Sequence, residues 1–298
     1  MAYHIPALLK ESVDGLNIKP GGIYVDVTFG GGGHSMEILN RLVEGRLVAF
    51  DQDEDAAANI VGDDRLLFLN QNFRFLKNNL LFNGITSIDG LIADLGVSFH
   101  QFDEADRGFT FRQDAPLDMR MNRSGKTTAA ELLNNLDETA LADILYKYGE
   151  FTDSRRIARA IADARQRKPL KTVNDLTDAI GRLAPFRQEH KFYARVFQSL
   201  RIAVNHEIDY LEEMLQQGFE MLVPGGRLVV ITYHSLEDRV VKNFMRTGNF
   251  EGTEEKDFYG NVNSPFRLIN KKGTTPGDDE IARNNRARSA RLRIAEKI

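Results

Sequence analysis

The chain has no cysteine and no tryptophan, and only 8 prolines in 298 residues. Without cysteine there is no disulfide, thiolate zinc site, iron–sulfur cluster or cysteine nucleophile. Long apolar runs are missing too. The longest, such as residues 228–231, are strand-sized, far below the ~20 residues needed to cross a bilayer. The opening MAYHIPALLKE lacks a basic region followed by an apolar stretch, so no signal peptide is expected and the chain reads as soluble and cytoplasmic. The six histidines show no paired spacing, so no metal site is expected. Hydrophobic residues make up 42%, enough for a packed core rather than disorder. Lys+Arg 39 against Asp+Glu 43 leave a net charge of -4, which argues against a general basic coat but not against local patches. The length suits one large domain or two ordinary ones.

Along the first hundred residues, short apolar runs alternate with helical spacing. Strands are predicted at 23–27, 46–50, 66–69 and 88–93, and helices at 34–43, 53–61 and 73–82. Such alternation indicates βαβ units and a parallel sheet with helices on both faces. From 107 to 205 the pattern is helical only, with stretches at 129–133, 138–148, 154–167, 173–183 and 193–205. The β pattern then resumes: a helix at 207–222, a Pro-Gly-Gly turn at 224–226, a strand at 227–233 and a helix at 235–245. A turn-rich stretch leads to a last strand at 287–295. The economical organisation is one α/β domain, residues 1–106 and 206–298, interrupted by a helical insert, 107–205.

Four consecutive glycines, Gly30 to Gly33, stand where the first strand hands over to the first helix. Glycines there allow close backbone approach to a ligand, and the helix start offers free N–H groups; an ordinary flexible turn is the bland alternative. Asp51 ends the second strand about 20 residues on, where a carboxylate can accept from ribose hydroxyls, and Asp94 ends the fourth. Either acid alone could cap a helix. Jointly they suggest an adenosine-bearing cofactor. The dinucleotide pattern fails, because Ser35 or Met36 stands at the third glycine position. A phosphate loop at Gly125-Lys126-Thr127 fails because Arg120 stands at the leading glycine. Asp26, ahead of the glycines, repels a pyrophosphate but suits an ammonium group. The pattern therefore favours S-adenosyl-L-methionine over a nicotinamide.

Several segments carry a family resemblance: Tyr3-His4-Ile5-Pro6, the loop from Asp26 to Ser35, Asp94-Leu95-Gly96-Val97-Ser98, Arg107-Gly108-Phe109, Pro116-Leu117-Asp118-Met119-Arg120-Met121, the run from Tyr233 to Arg239, and Arg286-Ala287-Arg288-Ser289-Ala290. In order and nearly end to end, the chain resembles the bacterial 16S ribosomal RNA (cytidine-N4) methyltransferases. It departs from them at 98–101, where Ser-Phe-His-Gln replaces Ser-Ser-Pro-Gln, and at 190–195. The resemblance implies a class I, Rossmann-like methyltransferase sheet with an inserted helical substrate-recognition domain. It implies methylation of one cytidine in the decoding region of small-subunit ribosomal RNA, within an assembled or nearly assembled subunit. It also implies a donor site built from Gly32, Gly33, His34, Asp51, Phe73, Asp94 and Gln101. A homodimer is left open.

Asp94 is the expected catalytic residue, lying between donor and amine. Tyr233 could stack on the base and His234 contact RNA or relay a proton; a structural role for the pair is the alternative. Arginines crowd 155–171 and 283–293, where phosphates could bind. The competing readings are a methyltransferase of a small molecule or protein, and a non-catalytic RNA-binding assembly factor.

Overall fold

Residues buried on both faces of a sheet read as continuous apolar runs, and such runs form the centre of this fold. Val25, Leu91, Ile92 and residues 228–231 are all 0% exposed. Burying each such side chain is worth about 1.5–3 kcal/mol. The computed structural model describes residues 6–96, 107–256, 258–259 and 264–298. The chain divides into two compact units, Met1–Gly96 with Ile208–Ile298, and Val97–Glu207.

The first unit carries seven strands: β1 (Ile23–Asp26), β2 (Arg46–Phe50), β3 (Leu66–Leu69), β4 (Ile88–Asp94), β5 (Leu222–Thr232), β6 (Phe266–Leu268) and β7 (Arg291–Lys297). Their order is β3-β2-β1-β4-β5-β7-β6. The first five run parallel, and β7 lies antiparallel between β5 and β6. This is the expected doubly wound sheet, and the single reversed strand is the arrangement of class I methyltransferases. Helices α1 (Leu9–Gly15), α2 (Gly33–Arg41) and α3 (Leu76–Phe82) belong to this unit.

Four expectations shift in detail. The predicted helix at 53–61 is a 3-10 stretch, Glu54–Asn59, entered through an Asp53 side chain that accepts from the Asp55 amide. An Asx-type cap so close to Asp51 tightens the first turn and no α-helix follows. The predicted helix at 73–82 starts as a 3-10 turn, Phe73–Phe75, and becomes helical only at Leu76. The last strand begins at Arg291, because Asn285–Ser289 forms another 3-10 turn. The Pro-Gly-Gly turn at 224–226 falls inside β5, where the pairing with β4 skips from Leu222 to Arg227. Gly225 takes φ +78 there, a conformation costly for any side chain.

The second unit contains α4 (Ala129–Asn135), α5 (Glu138–Lys147), α6 (Ser154–Arg167), α7 (Val173–Ile180) and α8 (Glu189–Asn205), with no strand among its described residues. Thr128 with Glu131 and Thr172 with Asp175 form reciprocal capping boxes that start α4 and α7. The hexapeptide 116–121 is built into this unit's core. Leu117 and Met119 are buried, Arg120 and Asp118 form a bidentate pair, and the Asn205 side chain bonds the backbone of both Met119 and Met121. No helix among the described residues is long and apolar enough to cross a membrane.

Helix α9 (Glu207–Met221) leads into β5, α10 (Ser235–Thr247) follows it, and α11 (Asp278–Arg283) precedes β7. From β7, Arg293 reaches α10 and grips both carboxylate oxygens of Asp238 at 2.6 and 2.8 Å. The Arg293 side chain is 8% exposed. Removing one partner of such a buried pair strands the other charge. Arg293→Ala is therefore expected to cost about 3 kcal/mol, read as a lowered urea midpoint at an unchanged slope.

Candidate active site

Beyond Asp26 the central strands part. Val27 N–H still reaches Ile92 O at 3.0 Å, and the next tie is through a side chain: the Asp94 N–H donates to Thr28 Oγ1 at 2.7 Å. Thr28 N–H in turn donates to Asp26 Oδ1 at 3.0 Å, and Ser35 Oγ to Asp26 Oδ2 at 2.7 Å. Both Asp26 oxygens thus serve the loop and the start of α2, and the residue is 1% exposed. Asp26 therefore shapes the loop and contributes charge from beneath it.

The glycines divide by role. Gly30 (φ +50) and Gly32 (φ +76) take left-handed conformations, and Gly32 is the N-cap of α2. A Cβ on Gly33 would stand 2.2 Å from Pro6 Cγ, whereas one on Gly31 would meet nothing within 4 Å. Gly33 therefore answers a packing constraint from the N-terminal segment, and the loop's open side is at Gly31.

Asp51 accepts from the Gly30 N–H on Oδ2 at 2.8 Å and from the Asp53 N–H on Oδ1 at 2.9 Å. It ties the end of β2 to the glycine loop while remaining half-buried. Phe73 opens the turn after β3, half-buried and next to Asn72, whose amide donates to Gln52 Oε1. His34 is buried in the first turn of α2, its Nδ1 3.8 Å from Asp94 Oδ2. The structure thus gathers Gly32, Gly33, His34, Asp51 and Asp94 around the carboxyl ends of β1, β2 and β4, with Phe73 one strand further along. Gln101, together with residues 1–5 and 97–100, lies outside the described residues.

Asp94 is the electrostatic centre. Tyr233 Oη donates to its Oδ1 at 2.8 Å. Burial first, then the charges of Asp26 and Glu237, push the Asp94 carboxyl up to about 7, against the lowering effect of that hydrogen bond. Burial likewise raises Asp51 to about 6. The Tyr233 hydroxyl is raised by burial and by the adjacent Asp94, so it stays a neutral donor. Among the described residues no lysine or arginine pairs with Asp26, Asp51 or Asp94. Carboxylates wholly or partly withdrawn from water without a cation are costly and mark functional sites; this set fits a cationic ligand beside hydroxyl groups.

Tyr233 and His234 both have structural partners in the site. The Tyr233 ring packs against Gly96 (φ +113), where an added Cβ would come within 3.3 Å of it. His234 is the N-cap of α10, its Nδ1 accepting from the Glu237 N–H at 3.3 Å. Thr28, Ser35 and the buried Glu237 have no role of their own in the sequence reading of the site. For Thr28 a signal exists, since Asp-x-Thr marks a side-chain-to-backbone turn. For Glu237 none does.

Sheet order, glycine loop and strand-end acids define a class I methyltransferase. The description "MraW methylase family" matches residues 1–298, and the chain belongs to that family. Curated relatives are named "Ribosomal RNA small subunit methyltransferase H". The protein of Phocaeicola vulgatus is 56% identical over 296 residues, 99% of this chain and 97% of the relative. That of Bacteroides thetaiotaomicron is 56% identical over 298 residues, 100% and 98%. That of Flavobacterium johnsoniae is 53% identical over 299 residues, 100% and 99%. In a methylase with this sheet, the cofactor is S-adenosyl-L-methionine.

The raised carboxyls make donor binding pH-dependent. Asp94 moves from 3.8 to about 7, so it favours the folded state below 3.8, and that contribution is lost as pH rises to about 7. A cationic donor needs the ionised form and restores the balance. Donor affinity is expected to rise by up to about tenfold per pH unit below 7 and then level off. Calorimetry at pH 6 in two buffers of different ionisation heat should detect proton release on binding. Tyr233→Phe removes the hydrogen bond that lowers Asp94, and the break in the affinity profile should move to higher pH.

Proposed function

We propose that the protein transfers a methyl group from S-adenosyl-L-methionine to the exocyclic N4 amine of a cytidine in the decoding region of small-subunit ribosomal RNA. The substrate is the assembled or nearly assembled subunit, met in the cytoplasm. Identity to the named relatives over nearly the full length supports the RNA class, and the resemblance of the motifs supports the cytidine. The observation that carries the chemistry is Asp94, a half-buried strand-end carboxylate with no lysine or arginine partner among the described residues.

In this reading residues 1–106 and 206–298 form the methyl-transfer domain, and 107–205 recognise the substrate. Gly32, Gly33, His34, Asp51, Phe73, Asp94 and Gln101 hold the donor. Asp51 retains lone pairs for ribose hydroxyls beyond its two backbone bonds. The bound sulfonium supplies an electrophilic methyl group with a good leaving group. The chain's task is then positioning, which can be worth about 7–11 kcal/mol.

A cytosine amine is a poor nucleophile because its lone pair is delocalised into the ring. Asp94 Oδ1 is taken by the Tyr233 hydroxyl, leaving Oδ2 to accept an amine N–H. That bond localises the lone pair and stabilises the positive charge that develops on nitrogen. Asp94 Oδ2, accepting that N–H, would take the proton that nitrogen sheds as the N–C bond forms, the donor's S–C bond breaks and the thioether is released.

The deciding experiment incubates the protein with methyl-labelled donor and unmodified small subunits, then maps the labelled nucleoside. Label on a cytidine N4 is expected; label only in protein or small molecules would reject the reading. Asp94→Asn should lower turnover by roughly 100-fold. Unchanged turnover with unchanged donor affinity would remove Asp94 from the mechanism.

A further inference from the structure

The sequence holds two arginine clusters, and the structure treats them differently. In the tail, Arg293 is buried against Asp238, Arg283 donates to Asp279 O, and Arg291 reaches Lys272 O at 3.4 Å. That cluster is largely engaged in holding β7 and α11. In the insert, Arg165 donates to Leu133 O and Lys168 pairs with Asp175. The remaining four, Arg155, Arg156, Arg159 and Arg167, are exposed on α6 with no ion pair or side-chain hydrogen bond among the described residues.

Helical geometry places these four together. At 3.6 residues per turn they fall within an arc of about 120°, along an axial length of about 18 Å. Gln166 and Asp163, both exposed, share that arc. The opposite face, with Ile157, Ala158 and Ile161, is 0% exposed and fixes the helix in the insert core. The face is thus held rigidly by packing rather than by its own charges. Four like charges on little more than three turns repel one another, a cost that fold stability alone gives no reason to keep.

We infer that this face of α6 is the surface on which the RNA phosphate backbone docks, resting on the proposed RNA substrate. Charge complementarity selects the occupant. Guanidiniums bind phosphates as bidentate donors, and a stripe of about 18 Å spans several successive phosphates of one strand. Asp163, within the same arc, weakens the field and opposes binding.

The test uses the full chain and a fluorescein-labelled hairpin of decoding-region RNA, titrated at several salt concentrations. Replacing Arg155, Arg156, Arg159 and Arg167 together by Ala should weaken binding roughly 10- to 100-fold and lower the salt slope by about three. Asp163→Asn should tighten binding by about two- to fivefold at low salt, an effect that damaged folding cannot produce. A quadruple variant with unchanged melting and wild-type slope, or an Asp163→Asn variant without gain, overturns the assignment. So does loss of binding to phosphatidylglycerol vesicles with RNA binding intact, which would make α6 a membrane face. If the RNA reading itself fails, the unaltered protein neither methylates small subunits nor binds the hairpin. That result is distinct from all of these.

Discussion

The hydrogen bond from the Asp94 amide to the Thr28 hydroxyl is the constraint on which the site depends. It spans the central strands just where their regular ladder ends. Backbone pairing would draw β1 and β4 together; a side-chain oxygen as acceptor holds them apart and lets the loop after β1 turn away. Open α/β sheets bind ligands at such points, where neighbouring connections leave in opposite directions. Thr28 is itself oriented by Asp26, which also receives Ser35 from α2. One buried carboxylate therefore sets the strand end, the glycine loop and the helix start.

The electrostatics follow from that geometry. Burial raises the Asp26 carboxyl itself, and Asp26 in turn raises the carboxyl groups of both Asp51 and Asp94. A neutral residue in its place could keep the hydrogen bonds but would surrender the field. The three acids form a graded set: one buried to build the loop, one half-buried beside it, and one held by Tyr233 at the chemical position. The protein stores unfavourable charge here that a cationic ligand relieves, so affinity comes partly from strain already present.

Much of this was legible along the chain. The parallel sheet, the glycine loop and the acids ending β2 and β4 each follow from short-range patterns. Part of what escaped depended on contacts distant in sequence. Tyr233 meets Asp94 across 139 positions, and nothing local distinguishes that hydroxyl from a stacking ring. The bond from Ser35 to Asp26 is visible only in three dimensions, whereas Thr28, two residues on, had a local signal. The 3-10 turns after β2 and β3 were read as α-helix because helical spacing does not register how Asp53 and Asn72 tighten the first turn. The hexapeptide 116–121 is one of the segments that carry the resemblance, yet it anchors the insert core rather than the donor site.

The interruption of the sheet between β4 and β5 bears on how the protein assembles. Asp94 pairs with Ile231, so the two middle strands must find each other across more than a hundred intervening residues. Closing a flexible loop of that length is entropically unfavourable, and such long-range pairing is slow. The interrupting segment, however, has its own apolar core and capped helices. If it collapses first, the excursion becomes a compact body rather than a loose coil. The order of events then favours insert before sheet, and the site that needs both sides of β4 and β5 is the last feature to mature.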